Sequence, residues 1–221
     1  MWRWLTRARR GAGTRIERDR RFRVTPLEGE DLERFLARQL DRSAIEQALE
    51  MAIRIARVVA ARHAQGDVHA RLEPKLVQFE AGQAVVTGWD VVTMLPQLSE
   101  SDSVYYKDAF CGDTRYISPE IVMDPWWLHP SCDQYSVGCI LHEMLVGEPP
   151  FTGRAGHAIL ARHMAERPTS VRVVRPDVSD GVEAVVLKAL AKKPGDRFPS
   201  MLQFTEALEA ELERVRRKKT M

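Results

Sequence analysis

The sequence lacks most of the features that mark secreted or membrane-spanning proteins. It contains three cysteines, Cys111, Cys132 and Cys139, and no Cys-x-x-Cys pair, so a disulfide framework or a zinc site is not expected. No apolar run reaches the roughly 18 residues that a transmembrane helix needs. The basic start MWRWLTRARR is not followed by the apolar stretch of a secretory signal. Reduced thiols in a cytoplasmic protein are the simplest expectation.

An excess of one sign of charge is also lacking. The 33 lysines and arginines nearly balance the 31 acidic residues, for a net charge of +2, so overall charge predicts no nucleic-acid partner. No metal-ligand spacing is found among His63, His129, His142, His157 and His163, and no metal or cofactor is expected. Local charge is less even, because residues 1–13 are rich in arginine and carry Trp2 and Trp4. A disordered basic arm is favoured there, and an anchor for membrane or nucleic acid is the alternative.

Helical periodicity dominates the rest of the chain. Apolar residues recur at helical spacing over Glu30–Leu40 and again after Ser43-x-x-Glu46, which has the form of a capping box. Gly66 ends that second, long helix, and two short apolar strands around Gly82 predict a β-hairpin. Further helices are predicted at about 132–146, 155–165, 180–192 and 199–217. The predicted fold class is therefore mainly α with small β-hairpins.

Composition divides the chain into four parts. Residues 1–13 form the basic arm, 14–28 a hairpin and hinge, 29–217 a helical lobe, and 218–221 a basic tail. The hairpin would pair two strand-like pieces, Thr14–Glu17 and Phe22–Thr25, although a lone hairpin is marginal in water. Residues 91–120 show few periodic features, and a loop of this length in a compact domain is usually functional or mobile.

Five segments occur in an order that is specific for a known fold. They are GDVHARLEPKLVQF, AVVTGWDVV, GDTRYISPE, DQYSVGCILHEMLVGEPPF and KPGDRF. In this order they resemble the catalytic loop, the metal-binding segment, the end of the activation segment, the central helix and the arginine turn of protein kinases, above all bacterial serine/threonine kinases. The resemblance runs from about Phe22 to Leu212. It implies the C-terminal lobe of the kinase fold, with the N-terminal lobe largely missing.

The resemblance implies structural roles for five residues. His69 and Trp89 occupy positions of a hydrophobic spine. Asp133 takes the central-helix position that accepts backbone N–H bonds from the catalytic loop, so it is expected on a buried helix close to His69. Glu120 and Arg197 match a family ion pair that ties the activation segment to the base of the lobe, and a bidentate arginine–carboxylate contact suits that task.

The catalytic positions of the family are filled here by residues of different chemistry. By the same resemblance, Arg71 stands at the base aspartate, Glu73 at the phosphate-binding lysine, Leu76 at the metal-binding asparagine and Gly88 at the metal-binding aspartate. Phosphoryl transfer depends on such charged groups, so the sequence is interpreted as a pseudokinase that is not an enzyme and binds no cofactor. A shifted turn that brings Asp90 to the metal position is the alternative.

The inverted charges in the cleft predict a structural clamp. Arg71, Glu73 and Asp113 stand where the family has aspartate, lysine and threonine, and a half-buried arginine without a partner would be costly. We therefore predict that Arg71 pairs with Asp113, Glu73 or both, and holds the activation segment closed. An Arg71 side chain that points into solvent is the alternative.

Three functions are compatible with these residues. The favoured one is a scaffold or regulatory binding module, which docks another protein such as a kinase, or a second copy through the open face around Val24, Pro26 and Leu27. The alternatives are a truncated kinase remnant with little function and a residual ATP-dependent protein kinase. Trp126 and Trp127 are expected to pack under the activation segment, and an exposed contact site is the alternative for this pair.

Overall fold

The computed structural model describes residues 31–38, 45–89 and 112–220 of the chain. Within these ranges it has eight α-helices, one β-hairpin and two short 3-10 turns. The helices are α1 (Leu32–Arg38), α2 (Ile45–His63), α3 (Pro119–Met123), α4 (Pro130–Val146), α5 (Gly156–Ala165), α6 (Val171–Val174), α7 (Asp180–Ala189) and α8 (Met201–Thr220). The strands are β1 (Val77–Glu80) and β2 (Gln83–Val86), and the 3-10 turns are Pro74–Leu76 and Pro194–Asp196.

The main apolar core forms where α2, α4 and α8 pack together. On α2, Leu49, Ile53, Ala56 and Val59 recur every three or four residues and are all buried. This spacing places them on one face of a helix with 3.6 residues per turn. Burial of that apolar face, rather than helix propensity, is what stabilises such a helix in a folded protein.

Helix α4 runs through the centre of the lobe and is buried on nearly all sides. A helix in such a position needs no polar face. Pro130 occupies the first turn, where its missing N–H costs nothing, and the ring of His129 accepts a hydrogen bond from the backbone N–H of Ser131. Gly147 ends the helix in the left-handed conformation, at a φ of 94°. Any polar side chain on α4 must therefore find its partners inside the protein.

The hairpin packs beside the loop between α2 and β1. Its strands pair in antiparallel register, with Val77 opposite Val86. Ala81 and Gly82 both have positive φ, as a two-residue hairpin turn requires. An isolated bridge at Asp31 joins the start of α1 to strand β1. Thr87, which follows β2, lies against the loop, because its carbonyl oxygen is 2.8 Å from Nε2 of His69.

The mainly helical fold and the hairpin around Gly82 are confirmed. The helices predicted at about 132–146, 155–165, 180–192 and 199–217 correspond to α4, α5, α7 and α8 within a few residues. The sequence does not predict α3 and α6, because five and four residues are too few for a periodic pattern.

Several predictions concern residues outside the described ranges. They are the basic arm 1–13, the hairpin of Thr14–Glu17 and Phe22–Thr25, the hinge residues Val24, Pro26 and Leu27, the capping-box residue Ser43, and the alternative metal position Asp90. These stay predictions, as does the division of the chain into four parts.

Candidate functional site

The carboxylate of Asp133 organises the loop between α2 and β1. Asp133 is fully buried in the first turn of α4. The backbone N–H of His69 donates to its Oδ2 at 2.9 Å, and that of Ala70 donates to its Oδ1 at 2.7 Å. The ring Nε2 of His63, at the end of α2, lies 2.7 Å from the same Oδ2. One carboxylate therefore joins three chain segments, and it satisfies donors whose burial without a partner would be costly.

His69 and Trp89 pack against each other at the end of the hairpin. Their rings meet edge to face with centroids 4.8 Å apart, and Nε2 of His69 lies 2.8 Å from the carbonyl oxygen of Thr87. The indole N–H of Trp89 donates to the carbonyl oxygen of Val86 at 2.9 Å. Burial lowers the pKa of His69 and so favours its neutral ring. The spine role that the resemblance assigns to this pair stays a prediction.

Positions 76 and 88 lie together and offer no oxygen ligand from their side chains. Gly88 has a φ of 85°, and a Cβ built there would lie 3.4 and 3.6 Å from the two methyl groups of Leu76. Leu76 is buried, and the third atom near this Cβ is the ring Nε2 of His69 at 3.7 Å. Across the described residues, no group of three or more His, Cys, Asp or Glu side chains is placed to hold a metal ion.

Glu73 connects this loop to the segment 112–118, which leads into α3. Its side chain is 1% exposed, and the backbone N–H of Asp113 donates to its Oε2 at 2.8 Å. The Nζ of Lys75 lies 2.8 Å from Oε1 of the same carboxylate. Gly112 lies against the loop as well, because a Cβ built there would stand 3.5 Å from Cβ of Arg71. The loop and the segment are thus in direct contact through Glu73 and Gly112.

Arg115 holds the side chain of Asp113 within the same turn. Its Nε donates to both carboxylate oxygens, at 3.0 and 2.9 Å, and its backbone N–H donates to Oδ1 at 2.9 Å. Burial by itself would raise the pKa of Asp113, but the hydrogen bonds and charge of Arg115 outweigh it and the pKa is lowered. Arg115 Nη2 also lies 3.8 Å from Glu33 of α1. The two carboxylates of the predicted clamp are therefore engaged by Arg115 and Lys75, and their pairing with Arg71 stays a prediction.

Glu120 and Arg197 form a buried, bidentate ion pair. Nη1 and Nη2 of Arg197 donate to the two carboxylate oxygens of Glu120 at 2.5 and 2.8 Å. The guanidinium also donates to the carbonyl oxygens of Ser131 and Ala191, at 2.9 and 2.8 Å. It lies 4.8 Å from the ring centroid of Tyr135. This one side chain connects α3, the start of α4 and the turn that precedes α8.

A second buried polar cluster lies between α4, α5 and the turn after α7. The hydroxyl of Tyr135 is 2.9 Å from Nδ1 of His163 and 3.3 Å from Nζ of Lys192. The sequence does not predict this cluster, because a lone histidine on a helix belongs to no motif. The available signal is helical spacing, since His163 follows the buried Ile159 by four residues and both lie on the inner face of α5.

The protonation of His163 predicts a loss of stability in acid. Burial, with a smaller contribution from the charge of Lys192, lowers the pKa of His163 to about 4. The unfolded chain, with a histidine pKa near 6.5, then binds more protons than the folded chain between these two values. The stability that the buried, neutral ring of His163 contributes is fully present above about pH 6.5. It is lost progressively as the pH falls from there through about 4, to a total of about 3 kcal/mol.

Urea unfolding between pH 7 and 4.5 checks this prediction. The stability of His163→Gln is expected to depend less steeply on pH than that of the unmodified chain. The exposed His157 is the matched control, and His157→Gln is expected to leave the pH dependence unchanged. Parallel pH curves for the His163 variant and the unmodified chain would contradict the prediction.

The surface after α3 exposes three large apolar side chains. Met123, Trp126 and Trp127 have exposed fractions of 74, 49 and 41%, and we call them the tryptophan surface. The expectation that the two tryptophans pack under the activation segment is therefore wrong, because both side chains are exposed. The ring of His129 stacks on Trp127 at 5.1 Å, and Asp124 Oδ1 accepts the backbone N–H of Trp126 at 3.0 Å. The stacking orients the indole of Trp127, and the hydrogen bond fixes the backbone at Trp126.

No helix within the described ranges combines the length and the apolar character that crossing a membrane requires. Cys132 and Cys139, the cysteines in those ranges, are buried thiols. Burial raises the pKa of Cys132 to about 12, so this thiol is unreactive at neutral pH.

Comparison with protein families assigns this chain to a known class. The family model described as the protein kinase domain matches residues 17–211. The chain therefore belongs to the protein kinase domain family. The suspected membership is confirmed.

The similar proteins include bacterial serine/threonine kinases. The chain is 32% identical over 171 residues to serine/threonine-protein kinase PknB of Mycobacterium leprae, which covers 77% of this chain and 26% of that protein. It is 31% identical over 166 residues to the probable serine/threonine-protein kinase SCO3848 of Streptomyces coelicolor, which covers 75% of this chain and 24% of that protein. The chain thus spans about a quarter of the length of the curated relatives that it matches.

A solved kinase domain has the same fold. A double mutant of the PknI kinase domain of Mycobacterium tuberculosis superposes with a TM-score of 0.61 at 20% sequence identity. The superposition covers 83% of this chain and 63% of that chain. Together with the mainly helical architecture, it confirms a kinase-like fold dominated by the C-terminal lobe.

The interpretation that the chain is not an enzyme is contradicted by the family to which the chain belongs. The protein kinase domain match and the relatives named as serine/threonine kinases place it in an enzyme family. The interpretation rested on Arg71, Glu73, Leu76 and Gly88, which are four positions of one site, and on the N-terminal lobe that the resemblance implied to be largely missing. Family membership rests instead on the match over residues 17–211, which includes the helices of the core.

Proposed function

We propose that this member of the protein kinase family serves as a regulatory binding module, which docks another protein through the tryptophan surface. Among the described residues, Met123, Trp126 and Trp127 are three of the six large apolar side chains that are exposed. Their clustering within residues 123–127 is the observation that carries the proposal, because grouped apolar side chains on a surface mark interaction sites. Tryptophan is also enriched among the residues that supply most of the binding energy at interfaces.

The residues on both sides of the tryptophan surface are packed firmly against the lobe. Helix α3, which ends at Met123, is joined to the rest of the lobe by the buried pair of Glu120 and Arg197. Leu128, which follows the two tryptophans, is partly buried against a small apolar cluster that includes Ile121 and Cys132. A surface that is already ordered loses less conformational entropy when a partner binds.

The substituted family positions are consistent with such a role. Leu76 contributes apolar packing beside Gly88, and Glu73 accepts the backbone N–H of Asp113. Glu73 thereby supports the segment that leads toward the tryptophan surface. The partner that we propose is another protein, such as a kinase of the same family or a second copy of this chain. A cytoplasmic location, where thiols stay reduced, is part of the proposal.

Residual ATP-dependent phosphotransfer is the second candidate function, and membership of an enzyme family favours it. Purified protein with labelled ATP, Mg²⁺ and a general protein substrate tests this candidate directly. Transfer of label that survives a second purification would support phosphotransfer. The absence of both labelled product and any specific partner would favour a kinase remnant with little function.

Replacing the two indoles is expected to abolish partner binding. Loss of interface tryptophans typically costs 2 kcal/mol or more each, which is about 30-fold in affinity. The measurement is crosslinking and affinity capture from native cells with the unmodified chain, followed by binding of the purified partner to the Trp126→Ala/Trp127→Ala variant. Leu202→Ala, which removes another exposed apolar side chain on α8, is the matched control and should bind normally. Equal binding of that partner to the double variant would refute the docking surface.

A further inference from the structure

The segment 112–118 is held at its two ends by different elements. Toward α3, the hydroxyl of Tyr116 donates to Glu143 of α4 at 2.6 Å, and the hydroxyl of Ser136 donates to the carbonyl oxygen of Tyr116 at 2.9 Å. At the other end, the backbone N–H of Asp113 donates to the carboxylate of Glu73, 40 positions earlier in the sequence. The hydrogen bonds between Arg115 and Asp113 lie within one turn and cannot attach that turn to the loop.

We infer that Glu73 is a positioning residue that acts as a latch: its buried carboxylate holds Gly112 and Asp113 of the segment against the loop between α2 and β1. The latch uses the chain's own groups, with a side-chain acceptor on the loop and a backbone donor on the segment. It goes beyond the proposed function, because it requires no partner protein and can be tested without one.

The chemistry of the latch requires an acceptor at position 73. A hydrogen bond from a backbone N–H to a carboxylate is charge-assisted, and so it is stronger than one between neutral groups. Lys75 lies 2.8 Å from the other oxygen of the carboxylate and offsets part of the cost of burying its charge. A lysine at position 73, as the kinase family has by resemblance, offers no acceptor and would place two cations side by side.

The latch extends to helix α1 through Asp113. The carboxylate of Asp113 binds Arg115, and Nη2 of Arg115 lies 3.8 Å from Glu33 of α1. The ion pair with Glu33 is largely exposed and contributes little by itself. The buried hydrogen bond between Glu73 and Asp113 is therefore the contact that holds the segment most strongly.

Amide hydrogen exchange of the full chain tests the latch at its donor. In the unmodified chain the N–H of Asp113 is expected to exchange slowly. Glu73→Lys removes the acceptor and should speed exchange at Asp113 by roughly tenfold or more, while Glu73→Gln keeps a neutral acceptor and should have a smaller effect. Glu80→Lys, which makes the same charge change on strand β1, is the matched control and should leave Asp113 unchanged.

The amide of Ile140, in the buried centre of α4, reports on global unfolding in the same samples. The latch predicts faster exchange at Asp113 with exchange at Ile140 unchanged. An unchanged rate at Asp113 in Glu73→Lys would overturn the inference. Equal acceleration at both amides, in Glu73→Gln as well as Glu73→Lys, would also overturn it, because Glu73 would then support the fold as a whole. A failure of the tryptophan surface to bind a partner would leave these rates unaffected.

Discussion

Asp133→Ala is expected to lower the free energy of unfolding by about 4 kcal/mol, since it leaves two buried backbone donors without an acceptor. The donors are the N–H groups of His69 and Ala70, and the ring of His63 loses its partner as well. Water cannot easily replace the carboxylate, because Asp133 is 0% exposed. Ala70 adds to the expected loss, because its φ of 60° is unfavourable for a residue with a side chain and is maintained by these bonds.

Equilibrium unfolding in guanidinium chloride measures this effect, and hydrogen exchange at His69 and Ala70 locates it. Asp133→Asn is the informative comparison, because it keeps one acceptor oxygen and the shape of the side chain. It should cost less than Asp133→Ala and should preserve slow exchange at one of the two amides. A loss below about 1 kcal/mol for Asp133→Ala would mean that the loop is held mainly by other contacts.

Arg197→Met is expected to lower the free energy of unfolding by about 3–5 kcal/mol, because it leaves the Glu120 carboxylate buried and uncompensated. The converse change, Glu120→Gln, should cost less. In that variant the guanidinium of Arg197 keeps the carbonyl oxygens of Ser131 and Ala191 as acceptors. The asymmetry between the two substitutions is the specific prediction for this pair.

Thermal or denaturant unfolding of both variants measures the asymmetry. For a chain of this size, a loss of that magnitude corresponds to a fall in Tm of about 10 °C. Arg57→Met is the matched control, because Arg57 also pairs with a glutamate, Glu209, at 2.8 Å but with a side chain 64% exposed. It should cost about 0–1 kcal/mol. A cost for Glu120→Gln equal to that of Arg197→Met would contradict this account.

Much of the framework around the site was predictable from the sequence. The periodic spacing of Leu49, Ile53, Ala56 and Val59 indicates the buried face of α2, because the helix repeat alone determines which residues share a face. The turn at Gly82 follows from a similarly local rule, since a two-residue hairpin needs positive φ. Such rules act over one or two turns of chain, and for that reason a single sequence reveals them.

The order of five motifs also predicted contacts between residues that lie far apart in the sequence. It placed Asp133 on a buried helix near His69, and it proposed that Glu120 meets Arg197 across 77 positions. No periodicity contains this information, and the resemblance to protein kinases supplied it. The same resemblance led to the conclusion that the chain is not an enzyme, because four family positions are substituted and the N-terminal lobe was taken to be largely missing. The match to the protein kinase domain over residues 17–211, a family of enzymes, contradicts that conclusion.

By itself, then, the sequence determined the longer helices, the hairpin around Gly82, the family and the identities of the residues that occupy the cleft. Only the tertiary structure decided which of those residues meet. In the structure the carboxylate of Asp113 binds Arg115. The carboxylate of Glu73 contacts Lys75 and accepts the backbone N–H of Asp113. The physical reason is that a charged side chain binds whichever partner the packing of distant elements brings within about 3 Å, and sequence spacing does not encode that distance. The burial of His163 was decided in the same way, because the packing of α5 against α4 brings its ring to Tyr135.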